Sequence, residues 1–122
     1  MRKKIKVGDI FYSNYFNDGL ATFYQVVKVY ESGRVRIREI EKEEKKTEFD
    51  CEFLATPLPN KFCPKRELDT IGGRADIQDN DKGTIKLVQY SDNKPFLSFS
   101  TRNAYLYEGK PVISSYYYIW MK

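Results

Sequence analysis

Three arginines at alternate positions, Arg34, Arg36 and Arg38, are the most chemically suggestive residues of this 122-residue chain. On a β-strand they share one face and leave the backbone about 6.6–6.8 Å apart. Guanidiniums stay charged at physiological pH and present forked donors, so such a row can track phosphates. A structural use competes with this. Glu48, Asp50 and Glu52 also alternate. An antiparallel hairpin pairing 34 with 52, 36 with 50 and 38 with 48 would neutralise the arginines. The same register sets Val35 over Cys51 and Ile37 over Phe49, so the charged and apolar faces select it together. Cross-strand pairing is therefore the expectation, with anion binding as the alternative.

Aromatic residues are the second set: ten Tyr and eight Phe. Tyr12, Tyr15, Phe16 and Tyr24 lie near basic residues. Tyr105, Tyr107, Tyr116, Tyr117 and Tyr118 crowd the C-terminal part. Such side chains can fill a β-core, anchor a protein interface at little rotamer cost, or stack on exposed bases. Tyr15, Phe16 and Tyr107 are the aromatic candidates for a binding site, beside Arg34, Arg36 and Arg38.

Other chemistries find little support. The chain has no histidine, which removes His-dependent triads and the commonest general base and metal ligand. Cys51 and Cys63 match neither a CxxC nor a zinc spacing. Cys63 has no histidine to activate it as a nucleophile. Asp76, Asp79, Asn80, Asp81 and Gly83 fail the calcium-loop spacing from either aspartate. Gly72-Gly73 follows no strand and lacks the phosphate-loop pattern. No catalytic residue, metal or cofactor is expected, and the protein is expected not to be an enzyme.

The elements that must position these residues read as strands. Val, Ile, Tyr and Phe recur in short runs broken by seven Gly and five Pro. Lys6–Tyr12, extending to Phe16, is the first strand candidate, followed by a turn at Asn17-Asp18-Gly19. Thr22–Tyr30 is the strongest. Phe23, Gln25, Val27 and Val29 fall on one face and Tyr24, Val26 and Tyr30 on the other, the mark of a central strand. Glu31-Ser32-Gly33 should turn the chain into Arg34–Arg38. The charged segment Glu39–Lys46 is expected to be a solvated connection before Thr47–Phe53. Leu54–Phe62, with Pro57 and Pro59, is expected to be irregular. Further strands are Thr84–Tyr90, Phe96–Thr101, Ala104–Tyr107 and Val112–Trp120. Turns lie at Ser91-Asp92-Asn93 and Glu108-Gly109-Lys110-Pro111. The best helical candidate, Lys65–Ile71, is two turns at most.

These signals predict a mainly β single domain over residues 1–122, an antiparallel barrel or sandwich with little helix. The first half suits a small SH3-like barrel. Lys61–Gly83 has few apolar residues and is expected to be a mobile or partner-ordered loop. The net charge is +4, a weakly basic surface compatible with nucleic acid without demanding it. No apolar run reaches the roughly 20 residues of a membrane helix. The basic start lacks an apolar signal region, so a cytoplasmic protein with free thiols, away from membranes, is expected.

Val7-Gly8-Asp9-Ile10-Phe11, Phe23-Tyr24-Gln25-Val26-Val27, Val35 with Arg38-Glu39-Ile40, and Tyr105-Leu106 before Gly109-Lys110-Pro111 resemble, in that order, a family of small proteins of bacteriophages, plasmids and other bacterial mobile elements. Typical members carry a Trp-Gly-Tyr-Asp-Gln-Thr-Asn-like stretch after the first strand. Tyr15–Leu20 departs from it, and Tyr107 stands where members tend to have Trp. The resemblance implies action inside a bacterial host, against a defence system such as a restriction or CRISPR nuclease. The combined expectation is a non-enzymatic interaction protein whose partner is a host protein or nucleoprotein complex. A direct nucleic-acid-binding module is the alternative.

Overall fold

Val, Ile, Phe, Tyr and Thr recur in the segments that form regular structure, and their stiff or bulky side chains pack best on a pleated surface. The computed structural model describes residues 4–14, 21–48, 52–63, 83–99 and 103–115. Within them every regular element is a strand. These are β1 (Ile10–Asn14), β2 (Ala21–Val29), β3 (Arg34–Lys46), β4 (Glu52–Phe62), β5 (Thr84–Leu87), β6 (Gln89–Ser91), β7 (Lys94–Ser98), β8 (Asn103–Leu106) and β9 (Val112–Ser115).

Local chemistry closes the tight turns where the sequence signals them. Between β2 and β3, Gly33 takes φ +90°. Its N–H donates to the Tyr30 carbonyl at 3.2 Å, and the Tyr30 N–H donates to the Arg34 carbonyl at 2.9 Å. Asp92 and Asn93 both take positive φ between Ser91 and Lys94, which pair directly. That is a two-residue hairpin turn of the type whose twist matches its strands, and Asn and Asp tolerate it best.

All nine strands join one antiparallel sheet, in the order β6-β7-β8-β1-β2-β3-β4-β9, with β5 on β3. The sheet does not close on itself along that path. It is mainly β, as the sequence implies. Its middle strands bury side chains on both faces. Phe11, Val26, Val35, Ile37, Leu97 and Ala104 pack with Ile5 on one side. Ile10, Ala21, Phe23, Ile40, Ala55 and Val112 pack on the other. Strands covered on both faces carry apolar residues in both phases, which is why β2 reads as central.

The expected hairpin between Arg34–Arg38 and Thr47–Phe53 does not form. β3 runs on through Lys46, so Glu39–Lys46 is strand and not a solvated connection. The chain reverses after Thr47, whose N–H donates to the Glu52 carbonyl at 3.1 Å. β4 then pairs with the far half of β3, from Lys42↔Pro57 to Lys46↔Phe53. The near half takes β5 instead: Arg34↔Leu87, Val35↔Lys86, Arg36↔Ile85 and Ile37↔Thr84. Glu52 therefore lies at the opposite end of β3 from Arg34. The predicted face of this stretch of β3 survives, since Val35 and Ile37 are buried; its partner is β5 and not residues 47–53. Length explains the outcome. A 13-residue strand gains more backbone pairing than a five-residue one, and charged side chains at its exposed positions cost it little.

Leu54–Phe62 is likewise a strand and not irregular. It carries a bulge, because Ile40 pairs with Phe62 while Lys42 pairs with Pro57. Asn60 sits in this bulge at φ +68°. Two hydrogen bonds with the buried Gln25 hold it. The Asn60 N–H donates to Gln25 Oε1 at 2.8 Å, and Gln25 Nε2 donates to Asn60 Oδ1 at 2.9 Å. The proposed turn at Asn17-Asp18-Gly19, the helical candidate Lys65–Ile71, Cys51 and most of Lys61–Gly83 lie outside the described residues.

Candidate functional site

Residues that face each other across antiparallel strands share a sheet face. Following the registers from β7 to β4 gives one continuous rank. Phe96 opposes Tyr105, Tyr105 opposes Tyr12, Tyr12 opposes Phe23, Phe23 opposes Ile40, and Ile40 opposes Phe62. Ring centroids step 6.4 Å from Phe96 to Tyr105 and 6.4 Å from Tyr105 to Tyr12. Phe23 is fully buried, whereas Tyr105 is 49% exposed. The rank thus starts in the core and emerges at the β7–β8 end.

Tyr107 sits beside this rank. Its N–H donates to the Ile10 carbonyl at 2.7 Å, which continues the β1–β8 ladder by one residue. Its ring meets Phe23 edge-on at 5.7 Å and Tyr12 edge-on at 6.4 Å. Tyr12 and Tyr107 line a groove of about 340 Å³ with Leu106, Lys110, Val112 and Ile113. Ile113 is 50% exposed. The groove offers aromatic and aliphatic walls with both a carboxylate, Glu108, and an ammonium, Lys110, among its lining groups, a lining suited to an amphipathic ligand or a protruding partner side chain.

The opposite corner of the same face is cationic. A bulge at Val27 creates it. Val26 pairs with Ile37, but Lys28, not Val27, pairs with Arg36. The extra residue inverts the alternation of β2 beyond this point. Lys28 and Tyr30 move to the arginine side, and Val29 turns toward Val35. The face grouping expected for Val27, Val29 and Tyr30 is corrected accordingly. Lys28 stands over the Tyr30 ring at 5.2 Å. Arg36 Nε donates to the Tyr30 hydroxyl at 3.1 Å. On the other side, β5 sets Ile85 beside Arg36 and Leu87 beside Arg34; each is 45% exposed.

The three arginines are therefore not equivalent. Arg34 is exposed, Arg36 is half-buried against Tyr30, and Arg38 turns inward. The Arg38 guanidinium lies 4.2 Å over the Phe62 ring, opposite Gln25, and its Nε is buried without a hydrogen-bond partner. Gly83 makes this crossing possible. A Cβ there would fall 2.2 Å from the Ile37 carbonyl oxygen and 2.7 Å from Arg38 Cγ. Among the described residues no carboxylate stands in register with Lys28, Arg34, Arg36 or Arg38. The expected acidic row is elsewhere: Glu48 is exposed at the far turn, Glu52 accepts from the Thr47 hydroxyl at 3.1 Å, and Asp50 lies outside the described residues.

No family model, curated protein or solved structure matches this chain. Its chemistry rests on its own residues. Of those singled out by sequence, Tyr107 and the arginines stand on one face, at two separate corners, and Tyr15 and Phe16 lie outside the described residues. Sequence reasoning missed Lys28 and Tyr30 as partners of the arginines, because strict alternation puts Lys28 on the other face. Among the described residues, no cluster of His, Cys, Asp or Glu could hold a metal ion. None forms a helix long and apolar enough to cross a membrane.

Proposed function

We propose that this protein is a non-enzymatic interaction protein of a bacteriophage or other mobile element. It binds a host protein or nucleoprotein complex in the bacterial cytoplasm and blocks or modulates it, with a restriction or CRISPR nuclease as the expected kind of target. The observation that carries the binding role is the half-exposed aromatic end of the rank, Tyr105, beside the Tyr12–Tyr107 groove. Aromatic anchors next to a pocket are the usual centre of a protein interface. The resemblance of Val7–Phe11, Phe23–Val27, Val35 with Arg38–Ile40, and Tyr105-Leu106 before Gly109–Pro111 to mobile-element proteins supplies the biological setting.

The proposed architecture is an SH3-like barrel in the half that holds Phe11, Val26 and Leu97. Its support is that β5 leans on β3 and β6 on β7, with only Val88 between them. The Val88 N–H donates to the Gly33 carbonyl at 3.1 Å. β4 and β9 then form an arm covering the other face.

Capture from host lysate treated with nuclease tests the reading. A specific protein partner should be retained by the native chain. Tyr105→Ala and Tyr107→Ala should each weaken binding to that purified partner by more than about 1 kcal/mol. Retention that disappears with nuclease, with both tyrosine variants neutral, would refute the protein interface. The second reading, direct binding of nucleic acid, is favoured by the corner that brings Lys28, Arg34 and Arg36 together beside the half-exposed Ile85 and Leu87.

A further inference from the structure

The geometry points to a phosphodiester-binding patch made by Lys28, Arg34 and Arg36, with Arg38 excluded from it. This rests on the reading of the chain as a binding module, and it names the chemistry by which the nucleic-acid part of a nucleoprotein target would be held. Three observations carry it. First, the bulge at Val27 brings Lys28 beside Arg36, so three cations of two adjacent strands crowd one corner. A phosphate laid across them can accept from guanidinium and ammonium donors of both strands at once. Second, Tyr30 organises the corner from below. Its ring carries the Lys28 ammonium and its hydroxyl accepts from Arg36 Nε, so two long side chains are partly immobilised before any ligand arrives. Preorganisation lowers the ordering cost of binding. Third, the flanking positions on β5 are Ile85 and Leu87, not acids, which gives a ledge on which sugars and base faces can rest.

Arg34 and Arg36 project about 6.6–6.8 Å apart along β3, and Lys28 lies one strand spacing, about 4.7–4.9 Å, to the side. That footprint suits two or three successive phosphates and no more. Arg38 continues the row in sequence only. Its guanidinium is spent on Phe62.

Anisotropy titrations of the full chain with a labelled 20-nucleotide mixed-sequence DNA, single-stranded and as the duplex, test this between 50 and 200 mM salt. Three contacts predict a log–log slope of about −2 for the single strand and about −2.7 for the duplex. The tighter arm identifies the natural form of the ligand. The Lys28→Gln, Arg34→Gln, Arg36→Gln triple variant should lose most of this slope. Arg34→Gln alone, at an exposed position, should lose about one contact of slope and keeps the test valid if the triple variant does not fold. Arg38→Gln should change affinity less than about twofold. Tyr30→Phe should weaken binding about two- to fivefold with the slope intact.

The proposal fails if neither DNA binds at 50 mM salt, if the triple variant keeps the native slope, or if Arg38→Gln costs as much as Arg34→Gln. It also fails if poly-glutamate displaces the DNA at equal charge concentration, since the corner would then be an acidic-protein site. Failure here with a nuclease-resistant, Tyr107-dependent partner leaves the protein-interface reading standing. DNA binding by Lys28, Arg34 and Arg36 without such a partner does the reverse.

Discussion

The two halves of β3 carry alternating patterns of opposite character and meet opposite fates. In the first half, apolar Val35 and Ile37 alternate with arginines, and the strand is gripped on both edges, by β2 and β5. In the second half, lysines and glutamates occupy nearly every position. Glu41 and Glu43 are exposed, Lys42 and Glu44 are half-buried, and Lys42 Nζ donates to the Ala21 carbonyl. Yet the second half is as regular a strand as the first. Backbone pairing with β4 sustains it, and β4 contributes the apolar residues, Ala55 and Phe62, that reach the core. Strand formation in a sheet can thus be imposed by the partner, whereas a functional face needs the strand's own side chains.

The largest test concerns the cores behind these halves. Phe11 and Phe23 are both fully buried, on opposite faces of the sheet. Phe11→Ala and Phe23→Ala should each cost about 3–5 kcal/mol in denaturant unfolding. If β3 joins the two cores into one cooperative unit, each variant should unfold in a single transition by fluorescence and circular dichroism alike. Two separate transitions would split the halves.

Gly83→Ala should distinguish the halves more finely. The added Cβ collides with the β3 backbone at Ile37, and the residue must hold φ +96°. A loss of about 1–3 kcal/mol is expected. Hydrogen exchange should quicken at Arg34–Ile37 and stay unchanged at Lys42–Lys46. Uniform quickening would show that β5 and β4 do not grip independent halves.

Gln25→Ala strikes the junction between them. It removes both bonds to Asn60 at the β4 bulge, and a cost on the order of 1 kcal/mol follows. Exchange should change near Asn60 and little at Arg34. The smallest expected effect is a null one. Arg34→Glu and Glu52→Arg, combined in a double-mutant cycle, should be additive within about 0.3–0.5 kcal/mol, as for distant sites. A larger favourable coupling would bring back the hairpin in which these two residues oppose each other.

The sequence by itself determined that the chain builds strands, where the turns at Gly33 and at Asp92–Asn93 fall, and which way Val35, Ile37 and the arginines point. Those are local matters. Side-chain direction follows from the two-residue period of any strand, and positive φ at Gly33, Asp92 and Asn93 follows from residue type. The candidate site was half legible in the same way. Arg34 and Arg36 were found because they alternate, and Tyr107 because it stood among aromatics. Tertiary structure alone decided that β5 and not residues 48–52 flanks the arginines. It also decided that a bulge brings Lys28 to them, that Arg38 leaves them for Phe62, and that Tyr12 and Tyr107 open a groove. The reason is that pairing is a competition among distant segments. A register that satisfies two faces locally still loses to one that also buries Ile37 among Phe11, Val26 and Leu97 and lets β3 run for 13 residues. A single extra residue at Val27 then reverses every later side chain of its strand, and no periodicity within the strand announces it.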